Sequence, residues 1–413
     1  MLVMGGIVGS GIFVTPAIVA RSVKSPAFIM GAWLLGGLGA LLGAFVYSEL
    51  AARRPKVGGQ YAYMREAFHP LVAFLYGWAL LLVIQTGGMA AGAITFARYF
   101  RELVPLPLAD GTVAAVAVGL LVAVNCAGVR AGSTVQSVLM VLKIAAILSL
   151  VGCALVLGAP AAAAPPHSPG SIASLGAAMV AVVFAYGGWQ TSCFVASEMT
   201  EPRKNLPRAL VIGVVGVITL YVLVVLACLR TLGADELGRS NAPALAVMTH
   251  LLGPRGGALI SAAIALSTLG FLSQSVLTAP RVYFAMAEDG AFFRAIGRVH
   301  PRSQVPLLAI VLQGVLTIAI ALAGTFETIL NYMISIDFFF FGLTATCLFV
   351  FRRRSTHDES DFSMPGHPVT TILFIALCWS VVIATFYKDA RHSFIGVGLM
   401  LAGIPVYLFW KRR

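Results

Sequence analysis

The chain has 413 residues, of which 59% are hydrophobic and 11% charged, and its mean hydropathy is +0.92. Soluble domains carry about 25% charged residues, so this composition excludes a water-soluble globular protein and indicates an all-α polytopic membrane protein. The net charge of +12 does not point to nucleic acid, because the basic residues sit in short clusters between apolar spans and form no stripe with interleaved aromatics.

At about 20 apolar residues per crossing, twelve spans are expected, roughly at 1–20, 27–52, 70–98, 112–129, 134–158, 172–196, 208–230, 257–280, 305–323, 328–351, 368–387 and 393–410. The first is interrupted by Gly5, Gly6, Gly9, Ser10 and Gly11 before Ile12 and Phe13. Met1 precedes that break by a few residues with no basic segment, which argues against a cleaved signal peptide; a native first helix beginning before Met1 is expected instead. Glu49, at the inner end of the second span, is expected to anchor a loop. The fifth span carries Lys143, about 15 Å deep when counted from Ser133 at 1.5 Å per residue, near the middle of a ~30 Å core. An amine at that depth is functional by default and needs a partner, the alternative being a side chain that snorkels to the interface. The sixth span breaks at Phe184-Ala185-Tyr186-Gly187-Gly188-Trp189. Asp337 lies in the tenth; it could pair with a helix, relay protons, read a substrate group, or simply bond neighbouring backbone. The longest polar stretches are 53–69, 281–304 and 352–367, and nothing resembles a separate soluble domain.

With both termini cytoplasmic, 18 Lys and Arg residues fall inside, including Arg53, Arg54, Lys56, Arg352, Arg353, Arg354, Lys411, Arg412 and Arg413. Nine fall outside, and Lys143 is the remainder. That bias favours the orientation. The six cysteines (Cys126, Cys153, Cys193, Cys228, Cys347, Cys378) lie in or beside apolar spans, without a CxxC pair or Cys/His cluster, so neither a metal site nor a disulfide framework is indicated. No catalytic triad, paired catalytic carboxylates or cofactor motif is present; no cofactor is expected, and the chain does not read as an enzyme.

Two broken spans in matching places carry the functional reading. Unwound backbone within a bilayer is tolerated only against protein or a water-filled cavity, and such pairs mark the binding sites of secondary transporters. Unwinding at Gly9-Ser10-Gly11 frees backbone N–H groups at a helix N-terminus, which suit a carboxylate. Carbonyls freed at the helix C-terminal ends suit an ammonium. A zwitterion fits such a site without any charged side chain. The alternative is glycines that permit close helix packing. A dinucleotide loop is excluded by the glycine order and the absence of a βαβ unit.

Gly9-Ser10-Gly11-Ile12-Phe13-Val14-Thr15-Pro16 resembles the first-helix signature of the amino acid–polyamine–organocation superfamily. Phe184 through Trp189, with Glu198, Pro202, Asn205, Leu206 and Pro207, resembles the sixth helix of its L-type amino acid transporter branch. Tyr47-Ser48-Glu49-Leu50, Gly58-Gly59-Gln60-Tyr61-Ala62-Tyr63, and Arg281-Val282-Tyr283 with Met286, Ala287 and Gly290 extend the likeness. The resemblance implies a five-plus-five inverted-repeat, leucine-transporter-like fold with helices 1 and 6 broken. Residues 1–158 would form the first repeat, 172–351 the second, and 368–410 two appended helices. It implies that Ile7, Gly9, Ser10 and Gly11 bind the substrate backbone, that Phe184, Ala185 and Gly187 complete the site, and that Phe184 is its outer gate. It also implies that Lys143 fills the space of a sodium ion and meets the broken first helix. Ser197 and Gln190 depart from the family pattern, where an acid and an asparagine are common.

The expected function is sodium-independent exchange of neutral L-amino acids by alternating access, in a prokaryotic inner or cell membrane. Proton symport or a cationic amino acid or polyamine permease is the runner-up, and a non-transporting membrane amino acid sensor is the reading from another class. Animal members of the branch often pair with a glycoprotein through a cysteine between helices 3 and 4. Residues 99–111 contain none, so no disulfide-linked heavy subunit is expected; the partners are the amino acid and membrane lipid.

Overall fold

The computed structural model describes residues 1–158, 172–323, 326–354 and 362–411. Arg412 and Arg413 of the inner basic set, and residues 355–361 of the third polar stretch, lie outside them. The described residues form helices joined by short connections: α1 Leu2–Ile7, α2 Gly11–Val23, α3 Pro26–Arg53, α4 Gln60–Ala67, α5 Pro70–Ala79, α6 Gln85–Leu103, α7 Asp110–Cys126, α8 Val129–Leu157, α9 Ile172–Ala185, α10 Pro202–Arg239, α11 Pro243–Thr278, α12 Pro280–Glu288, α13 Leu307–Ala323, α14 Phe326–Arg354, α15 Val369–Lys388, α16 Ala390–Leu401 and α17 Gly403–Lys411. A π-helical turn, Leu80–Ile84, joins α5 to α6, and a 3₁₀ segment, Trp189–Glu198, follows α9. Proline opens α3, α5, α10, α11 and α12, where its missing N–H would have had no intrahelical acceptor.

Nine helical stretches among the described residues are long and apolar enough to cross a membrane, and Gly11–Val23, Asp110–Cys126 and Leu307–Ala323 are shorter apolar helices. Several boundaries differ from the sequence reading. Residues 231–256, read as lying between spans, are mostly helical: α10 bends at Gly233 and α11 at Gly253. Arg21 ties this region to α2 through the carbonyls of Gly238 and Ser240, both at 2.7 Å. The last span is two pieces, because Pro405 cannot donate to the carbonyl four residues back and the helix restarts at Gly403.

Lipid gives no hydrophobic drive between helices, so close packing and small residues do that work. The pairs in contact include α2 with α9, α3 with α10, α6 with α11, α7 with α13, and α8 with α11. Glycines on α3 admit large neighbours: a Cβ at Gly43 would lie 2.6 Å from the Trp189 ring. Trp189 instead packs edge-on against Tyr47 at 4.7 Å and stacks on Phe341 at 5.5 Å. Trp33 meets Tyr186 and Tyr221 edge-on at 5.7 and 5.6 Å. Aromatic pairs of this kind add about 0.5–1.5 kcal/mol each beyond the area they bury, and these brace both sides of the break after α9.

Glu49 is fully buried. It accepts hydrogen bonds from Arg352 at 2.8 and 2.7 Å, from Arg53 at 2.8 Å and from the Met364 amide at 2.7 Å. It is therefore the expected loop anchor, joining α3, α14 and the approach to α15. A buried carboxylate is tolerable only when paired as fully as this.

Candidate substrate site

The site grows out of two places where glycine ends a helix. After α1, Val8 is extended (φ −73°, ψ 93°), and α2 starts at Gly11 behind Ser10. The first amides of a helix have no acceptor within it, so Gly9, Ser10 and Gly11 present N–H groups where the apolar chain reverses into helix. After α9, Tyr186, Gly187 and Gly188 form turns before Trp189. Gly188 has φ +108°, a conformation open to glycine and strained for other residues. Its N–H is capped by the Gln190 Oε1 at 3.0 Å, which gives a local role to a residue that departs from the family pattern. The two breaks touch: a Cβ at Gly6 would lie 2.5 Å from the Gly188 carbonyl oxygen.

A partly open cavity lies where these breaks meet. Ile7, Gly9, Ser10 and Gly11 line it from the first break, and Phe184, Ala185 and Gly187 from the second. All seven residues singled out above thus line one cavity. Phe184 is half-buried there. Asp337 also lines the cavity, half-buried on α14. Gly11 has a packing role too, since a Cβ on it would lie 3.0 Å from the Cα and 3.1 Å from the Cβ of Ala185.

Lys143 lies behind this wall, outside the lining. It is the middle residue of α8 and is fully buried. The helix begins at Val129, so the lysine stands about 21 Å from its start, deeper than the count from Ser133. Its Nζ donates to the Gly5 carbonyl at 3.3 Å and, at closer range, to that of Val8. The side chain therefore turns into the broken helix and does not snorkel. The Tyr221 hydroxyl donates to the Ile7 carbonyl at 3.1 Å. Three carbonyls freed by the first break are thus partnered from within the protein.

Several lining residues had no place in the sequence reading: Gln85, Gly88 and Ala91 on α6, Phe271 on α11, and Met333, Ile334 and Phe338 on α14. A signal existed for the first group, because Gln85-Thr86-Gly87-Gly88 is a polar, glycine-rich patch within an apolar span. It follows the π-helical turn Leu80–Ile84, a distortion that recurs at functional sites. The apolar members look like ordinary core and carried no signal. On the side predicted to be inner, Arg281 bonds Glu198 at 2.9 and 3.3 Å, and Arg65 pairs with Asp289. Among the described residues, no group of three or more His, Cys, Asp or Glu could hold a metal ion.

The amino acid permease family matches residues 1–410. The chain belongs to that family. The serine/threonine exchanger SteT of Bacillus subtilis (strain 168) is 32% identical across the whole chain and 95% of its own length. The large neutral amino acids transporter small subunit 2 of Homo sapiens is 30% identical, covering the whole chain and 79% of its own length. The human cystine/glutamate transporter is 29% identical over the whole chain and 84% of its own length. An amino acid permease is an integral membrane transporter, and in this permease the cavity lies between the start of α2 and the turn that follows α9.

Proposed function

We propose that this permease exchanges neutral L-amino acids across a prokaryotic cell membrane, independently of sodium and by alternating access, with both termini cytoplasmic. One observation carries the reading: a single cavity is walled by both unwound segments, with helix-start amides on one and helix-end carbonyls on the other. The carboxylate docks on the amides of Gly9, Ser10 and Gly11, and the ammonium on carbonyls near Ala185 and Gly187. Phe184 closes over the substrate from outside.

The twelve-span architecture, with repeats at 1–158 and 172–351 and appended helices at 368–410, draws support from helix pairing. The first four predicted spans each pack against the span five further on: α2 on α9, α3 on α10, α6 on α11 and α7 on α13. Elements related by a two-fold axis and lying near it contact their counterparts in this way. Sodium independence follows from Lys143, whose amine sits on the Gly5 and Val8 carbonyls where a cation would otherwise coordinate. Exchange is favoured because one of the relatives is named as a serine/threonine exchanger. The connection before α7 carries no cysteine, so no disulfide-linked subunit is assigned.

The test is uptake into proteoliposomes in sodium-free buffer. Labelled neutral amino acid should enter only when unlabelled amino acid is inside. Uptake into empty vesicles driven by a sodium gradient would overturn both exchange and sodium independence. Binding with no flux under any gradient would favour the sensor reading.

A further inference from the structure

Among the described residues that line the cavity, Asp337 alone has a charged side chain. It shares that wall with Ile334 and Phe338, and the i, i+3, i+4 spacing puts the three on one face of α14. No hydrogen bond or ion pair among the described residues engages its carboxylate. Lys143, the basic side chain behind the cavity wall, is committed to the Gly5 and Val8 carbonyls. The phenols of Tyr76 and Tyr47 are both within electrostatic reach of Asp337; Tyr76 donates to Gln60 at 2.8 Å, and Tyr47 makes no hydrogen bond to the carboxylate. A carboxylate at membrane depth without a partner is costly. Here the vacancy faces the space that the cargo enters.

We propose that Asp337 reads the substrate side chain, and that the preferred amino acids carry a side-chain hydrogen-bond donor which this carboxylate accepts. This rests on the transport reading above and adds the side-chain class to it. The neighbouring lining residues on α14 and α11 (Met333, Ile334, Phe338 and Phe271) are apolar. A donor directed at that wall therefore has Asp337 as its acceptor. An apolar isostere would leave the carboxylate unpaired and dry, a larger penalty than a missing methylene imposes. A hydroxyl and an ammonium both meet the requirement, and they are separable by experiment.

The measurement compares isosteric pairs, threonine against valine and ornithine against norleucine. Each is read as a thermal shift of the purified protein and as competition with labelled alanine exchange in proteoliposomes. The wild type should favour the donor-bearing member of at least one pair about tenfold or more, with the threonine arm reporting a hydroxyl and the ornithine arm a cation. Asp337→Leu should bring that ratio to within about twofold while valine and norleucine still bind; Asp337→Asn should abolish any ornithine preference. A wild type indifferent within both pairs overturns the proposal without recourse to any variant, as does a preference that survives in Asp337→Leu. Should alanine and all four competitors neither bind nor exchange, the transport reading itself fails and the proposal falls with it.

Discussion

Lys143→Ala perturbs the site from behind, without touching the cavity wall. It removes the donor shared by the Gly5 and Val8 carbonyls in a position fully shielded from solvent. Each carbonyl left dry and unpaired costs about 1–3 kcal/mol, so roughly 2–6 kcal/mol is lost by the conformation that keeps α1 against α8. A conformation that moves α1 away hydrates both carbonyls and avoids that loss. At about 1.4 kcal/mol per decade, the balance shifts by one to four decades toward it. Global stability should change less, because the variant is also spared the desolvation of a buried ammonium. Hydrogen exchange over residues 2–12 should rise at least tenfold, and amino acid exchange in proteoliposomes should fall steeply. Lys143→Met, which keeps most of the packing volume against Gly270, should behave in the same way. Wild-type protection together with wild-type flux in both variants would refute the reasoning. A wild type that needs a sodium gradient would remove the cation-substitute role whatever the variants do.

The close approach of Gly11 to Ala185 predicts that Gly11→Val weakens substrate binding at least tenfold in a thermal-shift titration. Gly9→Ala, whose Cβ would meet the Phe271 ring at an ordinary 3.4 Å, should stay within a few-fold of wild type; equal affinities for Gly11→Val and wild type would count against the site. Phe184→Ala should reduce exchange rate more than equilibrium affinity, since closure shields bound substrate from water; unchanged kinetics would remove the gating role. On the side proposed to be inner, burial alone would raise the Glu66 carboxyl, but hydrogen bonds from Arg54 and Lys56 outweigh it and hold the group below the usual carboxylate range. Because the folded value is the lower one, the stabilisation is complete above the ordinary value of about 4.3 and is lost as pH falls through the folded value. Glu66→Gln should flatten the acid limb of a melting-temperature profile; an unchanged limb would exclude Glu66 as a contributor.

Local chemistry by itself determined the class and singled out the glycine-rich interruptions at 5–11 and 184–189, while the family resemblance named the seven residues that line the cavity. Apolar runs of membrane length admit only helices, and a glycine cluster inside such a run is a local signal that needs no knowledge of neighbours. The same locality made Lys143 stand out as an expensive residue. The resemblance set Lys143 against the broken first helix, but only the tertiary structure decided which carbonyls it bonds, because Gly5 and Val8 are some 135 residues away and a carbonyl leaves no mark in a sequence. Only the packing of α14 against α6 and α3 put Asp337 on the cavity wall, without a partner among the described residues. The lining from Phe271, Met333, Ile334 and Phe338 was illegible for a related reason. In a membrane protein one apolar side chain reads like another whether it faces lipid, core or cargo, and helix packing alone assigns it among the three.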